Sequence, residues 1–179
     1  SLQMSIFSLG SKDPRLPSND NYWIADSATV VGDIEVKEKV SIWFGATIRG
    51  DNEKICLGYG TNIQENCILH TDKDYPLKVG NNCTVGHGAI LHGCVIGHNC
   101  IIGMGAIVLN GAQIGNNCIV GAGALVTEQR SFMENNKLIL GIPAKVTRDL
   151  TADEVQKIND SAIGYQSKMK LFKETLRSF

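Results

Sequence analysis

The feature that most constrains this chain is a six-residue rhythm of aliphatic residues. It starts at Ile24 and passes through Val30, Val36, Ile42, Ile48, Leu57, Ile63, Leu69, Val79, Val85, Leu91, Ile96, Ile102, Val108, Ile114 and Val120 to Val126. Thirteen of the sixteen gaps are six residues; the others are nine, ten and five. A helix drifts off a six-residue stripe, because 3.6 does not divide six. A short strand with a tight corner returns every anchor to the same inward face, since side chains alternate along a strand. Gly often follows the anchor, as at 58, 80, 86, 97, 103, 115 and 121, where the chain must bend or pack closely. Asn-Asn at 81–82 and 116–117 is turn chemistry. The period therefore predicts a solenoid of parallel strands, its coils stacked about 4.8 Å apart.

The chain divides into an extended lead-in over 1–21, the solenoid over 22–147 and a C-terminal helix over 148–179. Ser1-Leu2-Gln3 ahead of Met4 reads as an expression remnant. Two interruptions of the rhythm mark outward protrusions, one after Ile48 carrying Arg49, Asp51, Asn52 and Glu53, the other at 71–78. The repeat fades near Glu128. Thr151 and Glu154 form a capping-box pattern ahead of Val155, Ile158, Ala162, Tyr165, Met169, Phe172 and Leu176. That is one apolar stripe on a helix of about 25 residues, suited to docking on a prism face or a neighbouring chain.

Cys67, Cys83, Cys100 and Cys118 fall four residues after successive anchors, so they occupy one repeated inward slot and act as small hydrophobes. No C-x-x-C pair exists to form a thiolate zinc site. A net charge of −1 with no basic stripe argues against nucleic acid, and no apolar run reaches the roughly 20 residues of a membrane span. With no secretory signal pattern, the expected location is the cytoplasm.

The histidines carry the chemistry. His70 and His92 each follow an anchor by one residue, and those anchors, Leu69 and Leu91, are one coil apart once the four-residue excess of the 71–78 protrusion is removed. The two imidazoles should stack at one edge, as two ligands of one ion would, with nitrogens roughly 3.4 Å apart. Arg49 falls in the same column. His87 follows its anchor by two and belongs to the preceding side; five residues span at most about 16 Å, too far around a corner for one chain to close the site. A second copy would bring His87 to His70 and His92, most simply in a trimer. His98 has Asn81 and Asn116 as coil neighbours and reads as a surface residue.

The six-residue period resembles the hexapeptide-repeat family, whose members form a left-handed parallel β-helix, and GIPAK at 141–145 resembles their terminating turn. VGHGAILHGC, with IQENCILH and IRGDN before it, resembles the γ-class carbonic anhydrases over nearly the whole chain. That resemblance implies a homotrimer with Zn2+ (Fe2+ or Co2+ as alternatives) held by His70 and His92 of one subunit and His87 of the next. It also implies an ion pair between subunits from Arg49 and Asp51, a Gln64 that hydrogen-bonds the metal-bound water, and a Tyr165 reaching the site from the helix. The implied reaction is attack of metal-bound hydroxide on CO2 to give bicarbonate. Asn52 joins Gln64 and Tyr165 among the residues assigned to the chemistry; it stands where the best-known members carry Glu, with Glu53 beside it. Only 16 residues separate His70 from His87, so the acidic proton-shuttle loop of those members is missing, with Asp72 and Asp74 as substitutes. This shorter pattern resembles relatives whose hydratase activity is often weak or absent. Two alternatives stand beside it: a coenzyme A-dependent acyltransferase of the same repeat family, and a non-enzymatic, metal-stabilised trimeric scaffold.

Overall fold

The computed structural model describes residues 5–179, so the reading of Ser1-Leu2-Gln3 lies outside the described residues. All seventeen anchors are buried, none more than 3% exposed. They line the inside of a parallel β-solenoid of about six turns with three sides. The first side stacks Val30, Ile48, Leu69, Leu91, Val108 and Val126 in register. The second stacks Val36, Leu57, Val79, Ile96, Ile114 and Phe132. The third stacks Ile24, Ile42, Ile63, Val85, Ile102, Val120 and Ile139. The period thus continues past Glu128. Phe132 keeps the six-residue step and Ile139 comes seven later, so an aromatic and one irregular gap hide the last rung from a search for Ile, Leu and Val. An antiparallel pair, Lys137–Gly141 with Ala144–Asp149, turns at GIPAK and ends the stack.

Two different needs shape the corners. Gly after an anchor answers close stacking: a Cβ on Gly80 would stand 2.5 Å from the carbonyl oxygen of Gly97 one coil on. Positive φ falls instead on residues such as Asn82, Asn99 and Asn117, where the short amide side chain tolerates the left-handed region. His98 sits in a corner ladder as expected: its Nδ1 accepts from the Asn81 N–H and its own N–H donates to Asn116 Oδ1, both at 2.8 Å. Cys67, Cys83, Cys100 and Cys118 are fully buried and unpaired. Burial pushes the Cys67 thiol up to about 11, so it stays protonated and inert.

The lead-in adds to the prism. Ile6–Phe7 pairs in parallel with Val30 and Val31, and Arg15 bridges to Glu35, so the chain lies along the first coil. The protrusion after Ile48 is part of an eleven-residue strand, Thr47–Leu57, that rounds a corner. Its partner register jumps from Gly32↔Gly50 to Ile34↔Ile55, which leaves the extra residues bulged outward around Asp51 and Asn52.

The terminal helix spans Ala152–Thr175, begun by the Thr151–Glu154 capping box. It lies on the lower rungs of the third side, against Trp23–Ile24, Ser41–Ile42, Asn62–Ile63 and Thr84–Val85. Phe172 packs its ring 4.9 Å from that of Trp43, and Tyr165 packs 5.5 Å from the same indole. The apolar stripe stops at Phe172; Leu176 is the C-cap and is exposed, because the helix has run past the end of the face it covers. No helix among the described residues is long and apolar enough to cross a membrane.

Candidate metal centre

His70 and His92 end the strands Ile68–His70 and Ile90–His92, and the ladder pairs them directly. His70 Nδ1 and His92 Nε2 face each other at 3.1 Å, with the rings inclined at 70°. The other nitrogen of each ring is committed. His70 Nε2 lies 2.8 Å from Asp51 Oδ1, and Arg49 donates to Asp51 Oδ2 at 2.7 Å. Burial pushes the Asp51 carboxyl up, but the His70 hydrogen bond, its own backbone and the Arg49 charge outweigh this and hold it below the usual carboxylate range. An ionised carboxylate only accepts, so His70 carries its proton on Nε2. His92 Nδ1 lies 2.7 Å from Asn110 Oδ1, and the Asn110 amide is oriented by donating from Nδ2 to Asp72 Oδ2 at 2.8 Å. An amide oxygen also only accepts, so His92 carries its proton on Nδ1.

Both tautomers leave a bare lone pair aimed into the same gap. Two lone pairs at 3.1 Å repel unless a cation or a shared proton lies between them. The separation is close to the roughly 3.4 Å kept by two nitrogens on a tetrahedral ion. A carboxylate oxygen of Asp72 lies within 4.8 Å of a nitrogen of each ring, but Asp72 is committed to Asn110 and stands behind the pair rather than between them. Neutral imidazoles backed by carboxylates, directly or through an amide, are a donor set that suits Zn2+ and its first-row neighbours. The residues present therefore fit a divalent cation.

His87 lies elsewhere. It stands on the corner between the third and first sides, its side chain 49% exposed, with Nδ1 at 2.9 Å from Glu65 Oε1. Among the described residues it is not part of the cluster around His70 and His92. Gln64 shares this corner; it is buried and donates from Nε2 to Asn62 Oδ1 at 3.1 Å. Tyr165 comes in from the helix against Trp43, their rings 5.5 Å apart, and burial first, and the Glu65 charge second, raise its phenol pKa. Asn52 belongs with the other group: its Nδ2 donates to the Thr71 carbonyl at 2.7 Å. Arg49 and Asp51, which the resemblance places in an ion pair between subunits, pair with each other inside one chain.

The assigned residues therefore fall into two groups on opposite edges of the first side. Arg49, Asp51, Asn52, His70 and His92 hold one edge; Gln64, His87 and Tyr165 hold the other. Sequence reasoning missed Asn110 and Glu65, although the coil arithmetic reaches both. Asn110 follows His92 by 18 residues, one regular coil, and Glu65 precedes His87 by 22, the same offset that separates His70 from His92.

Comparison with known proteins bears on the fold and the family. Residues 93–128 match the family model described as bacterial transferase hexapeptide (six repeats). The chain is 45% identical, over 89% of its own length and 97% of the relative's, to a protein of Methanocaldococcus jannaschii described as a probable carbonic anhydrase. It is 36% identical to the mitochondrial gamma carbonic anhydrase 2 of Arabidopsis thaliana, over 80% of this chain and 53% of that protein. Among solved structures, a proposed acetyltransferase of Bacillus cereus superposes with a TM-score of 0.91 at 39% identity, covering 95% of this chain and 97% of that one. By its period, its three-sided solenoid and these relatives, the chain belongs to the γ-class carbonic anhydrase-like family of left-handed hexapeptide-repeat proteins.

Proposed function

We propose that this chain is a metal-dependent hydratase that converts CO2 and water to bicarbonate and a proton. Its site would be assembled from His70 and His92 of one subunit and His87 of the next in a homotrimer. The observation that carries the reading is the pair of imidazole lone pairs facing each other at 3.1 Å, each ring locked by an acceptor behind it. When bound there, a divalent ion such as Zn2+, Fe2+ or Co2+ supplies the Lewis acidity that makes hydroxide available near neutral pH. Asp51 and Asn110 hold the two rings in the tautomers that leave their lone pairs free. Gln64 offers both a donor and an acceptor, so it can orient a water without a charge that would compete for the ion. Tyr165 stays protonated and can donate, because burial and Glu65 raise its pKa.

The shape of the first side supports the trimer. Beyond Thr29 and Thr47 its outward row runs Ile68, Ile90, Ile107 and Leu125, an apolar strip against which no helix of the same chain packs among the described residues. The two groups of assigned residues flank that strip on its two edges. A threefold axis in front of the strip would bury it and bring the His87 edge of each copy to the His70/His92 edge of the next.

A mixing experiment tests both halves of the proposal. His70→Ala and His87→Ala should each lose CO2 hydration in stopped-flow assays of metal-loaded protein. Trimers reassembled from the two variants should regain one intact site each, because the intact His70/His92 edge of one variant meets the intact His87 of the other. Hydration that survives His70→Ala unchanged, or mixed trimers that stay inactive, would remove the reading.

A second reading, acyl transfer, is favoured by the likeness to the proposed acetyltransferase of Bacillus cereus. Calorimetry showing tight acetyl coenzyme A binding by protein free of metal would favour it over hydration.

A further inference from the structure

The protrusion at 71–78 does more than lengthen a coil. It folds back along the first side's edge and is fastened to two later rungs. Asp72 Oδ2 accepts from Asn110 Nδ2, and Tyr75 Oη accepts from Gln129 Nε2 at 2.7 Å. Tyr75 N–H closes the loop onto the Asp72 carbonyl at 3.0 Å. Gly93 makes room for this arrangement. It has φ 56°, and a Cβ there would stand 2.4 Å from Asn110 Oδ1 and 2.7 Å from Tyr75 Cβ. The loop carboxylate, the Asn110 amide and the His92 ring thus form one chain of hydrogen bonds with a fixed direction.

We infer that Asn110 is a positioning residue whose amide, turned by Asp72, decides which nitrogen of His92 is bare. An amide has a donor end and an acceptor end, and on its own could present either to His92. With Nδ2 toward His92, the amide would donate to Nδ1 and the proton would sit on Nε2, pointing at His70 Nδ1 and blocking the gap. The Asp72 carboxylate accepts only, so it takes the donor end and leaves Oδ1 for His92. A charge two hydrogen bonds away selects the tautomer. His70 needs no such relay, because Asp51 touches it directly. The purpose of the device rests on the metal-dependent reading above; its geometry does not.

The test reads the tautomer and the ion separately. In the metal-free native chain, held well above the ordinary imidazole pKa of about 6.5, nitrogen-15 shifts should show His92 protonated at Nδ1. Asp72→Ala and Asn110→Ala should each move His92 toward a mixture of tautomers. The double exchange Asp72→Asn with Asn110→Asp keeps an acceptor facing His92 and a donor between the two side chains, and should restore Nδ1 protonation. Zn2+ affinity, measured by chelator competition, should fall about 10–100-fold in the single variants, the usual cost of losing such outer support, and recover in the double exchange. Unchanged His92 shifts in Asp72→Ala, or a double exchange that fails to restore them, would overturn the inference. A native chain that binds no Zn2+ while its shifts respond as expected would uphold the tautomer control and remove the hydratase reading instead.

Discussion

The first and third sides of the prism are built from the same repeat but finished differently. The third side's outward row runs Trp23, Ser41, Asn62 and Thr84 and then Ile101, Ile119 and Leu138, and the chain's own helix packs on its first four rungs. Thr84 Oγ1 lies 3.1 Å from Ser161 Oγ on that helix, and Gln166 reaches across to the Gly60 carbonyl and to Asn82. The first side's row begins with Thr29 and Thr47 and turns apolar through Ile68, Ile90, Ile107 and Leu125, with no helix among the described residues over it. One side is completed within the chain by aromatic packing and a few polar contacts. The other presents an apolar strip, bordered by the His70/His92 group on one edge and the His87 group on the other. The difference is that one side's outer surface is finished by the chain itself and the other's is left open, and it is along the open side that the paired histidines His70 and His92 stand.

That contrast can be broken at three points. The largest effect is expected at Trp43, 3% exposed and wedged between Trp23, Phe44, Tyr165 and Phe172. Trp43→Ala should cost about 3–5 kcal/mol, read by chemical denaturation. A loss under about 1 kcal/mol would mean that the helix does not complete the third side. Next comes the first side, where Ile90→Lys places a charge in the middle of the apolar strip. On the trimer proposed above, solution mass should fall from three chains to one, with each separate chain keeping its fold, since changes at outward positions typically stay within about 0.5 kcal/mol. An unchanged trimer would move the subunit seam elsewhere.

The smallest effect concerns the start of the helix. Hydrogen bonds from Arg148, then from the Thr151 backbone, hold the Glu154 carboxyl down at about 2. Because the folded value lies below the unfolded one, its contribution is present above the ordinary carboxylate range and is lost as pH falls toward 2. Glu154→Gln keeps a capping side chain but loses the charge. Its melting temperature should therefore lie slightly below that of the native chain near pH 6, and the gap should close as pH approaches 2. A constant gap across that range would show that the Glu154 charge does not help to hold the helix.

Much of the site was legible because a solenoid turns sequence offsets into neighbours. The stacking of His70 on His92 follows from two anchors one coil apart, and the separation of His87 from both follows from its place on another side. Asn110 was equally within reach at one coil beyond His92, but an asparagine in a chain full of corner asparagines carries no signal of its own. Its role depends on Asp72, which sits in a loop outside the period. The last rung was hidden for a similar reason, since Phe132 and the seven-residue step to Ile139 break the pattern without breaking the stack.

The sequence by itself determined the prism, its anchors and the rung on which each histidine sits, because every contact inside the stack joins residues a near-constant distance apart along the chain. Only the tertiary structure decided which nitrogens are bare, which side the helix covers and how the 71–78 loop is fastened. Those depend on the direction of individual hydrogen bonds and on docking between segments as distant as Trp23 and Phe172, for which no spacing rule exists.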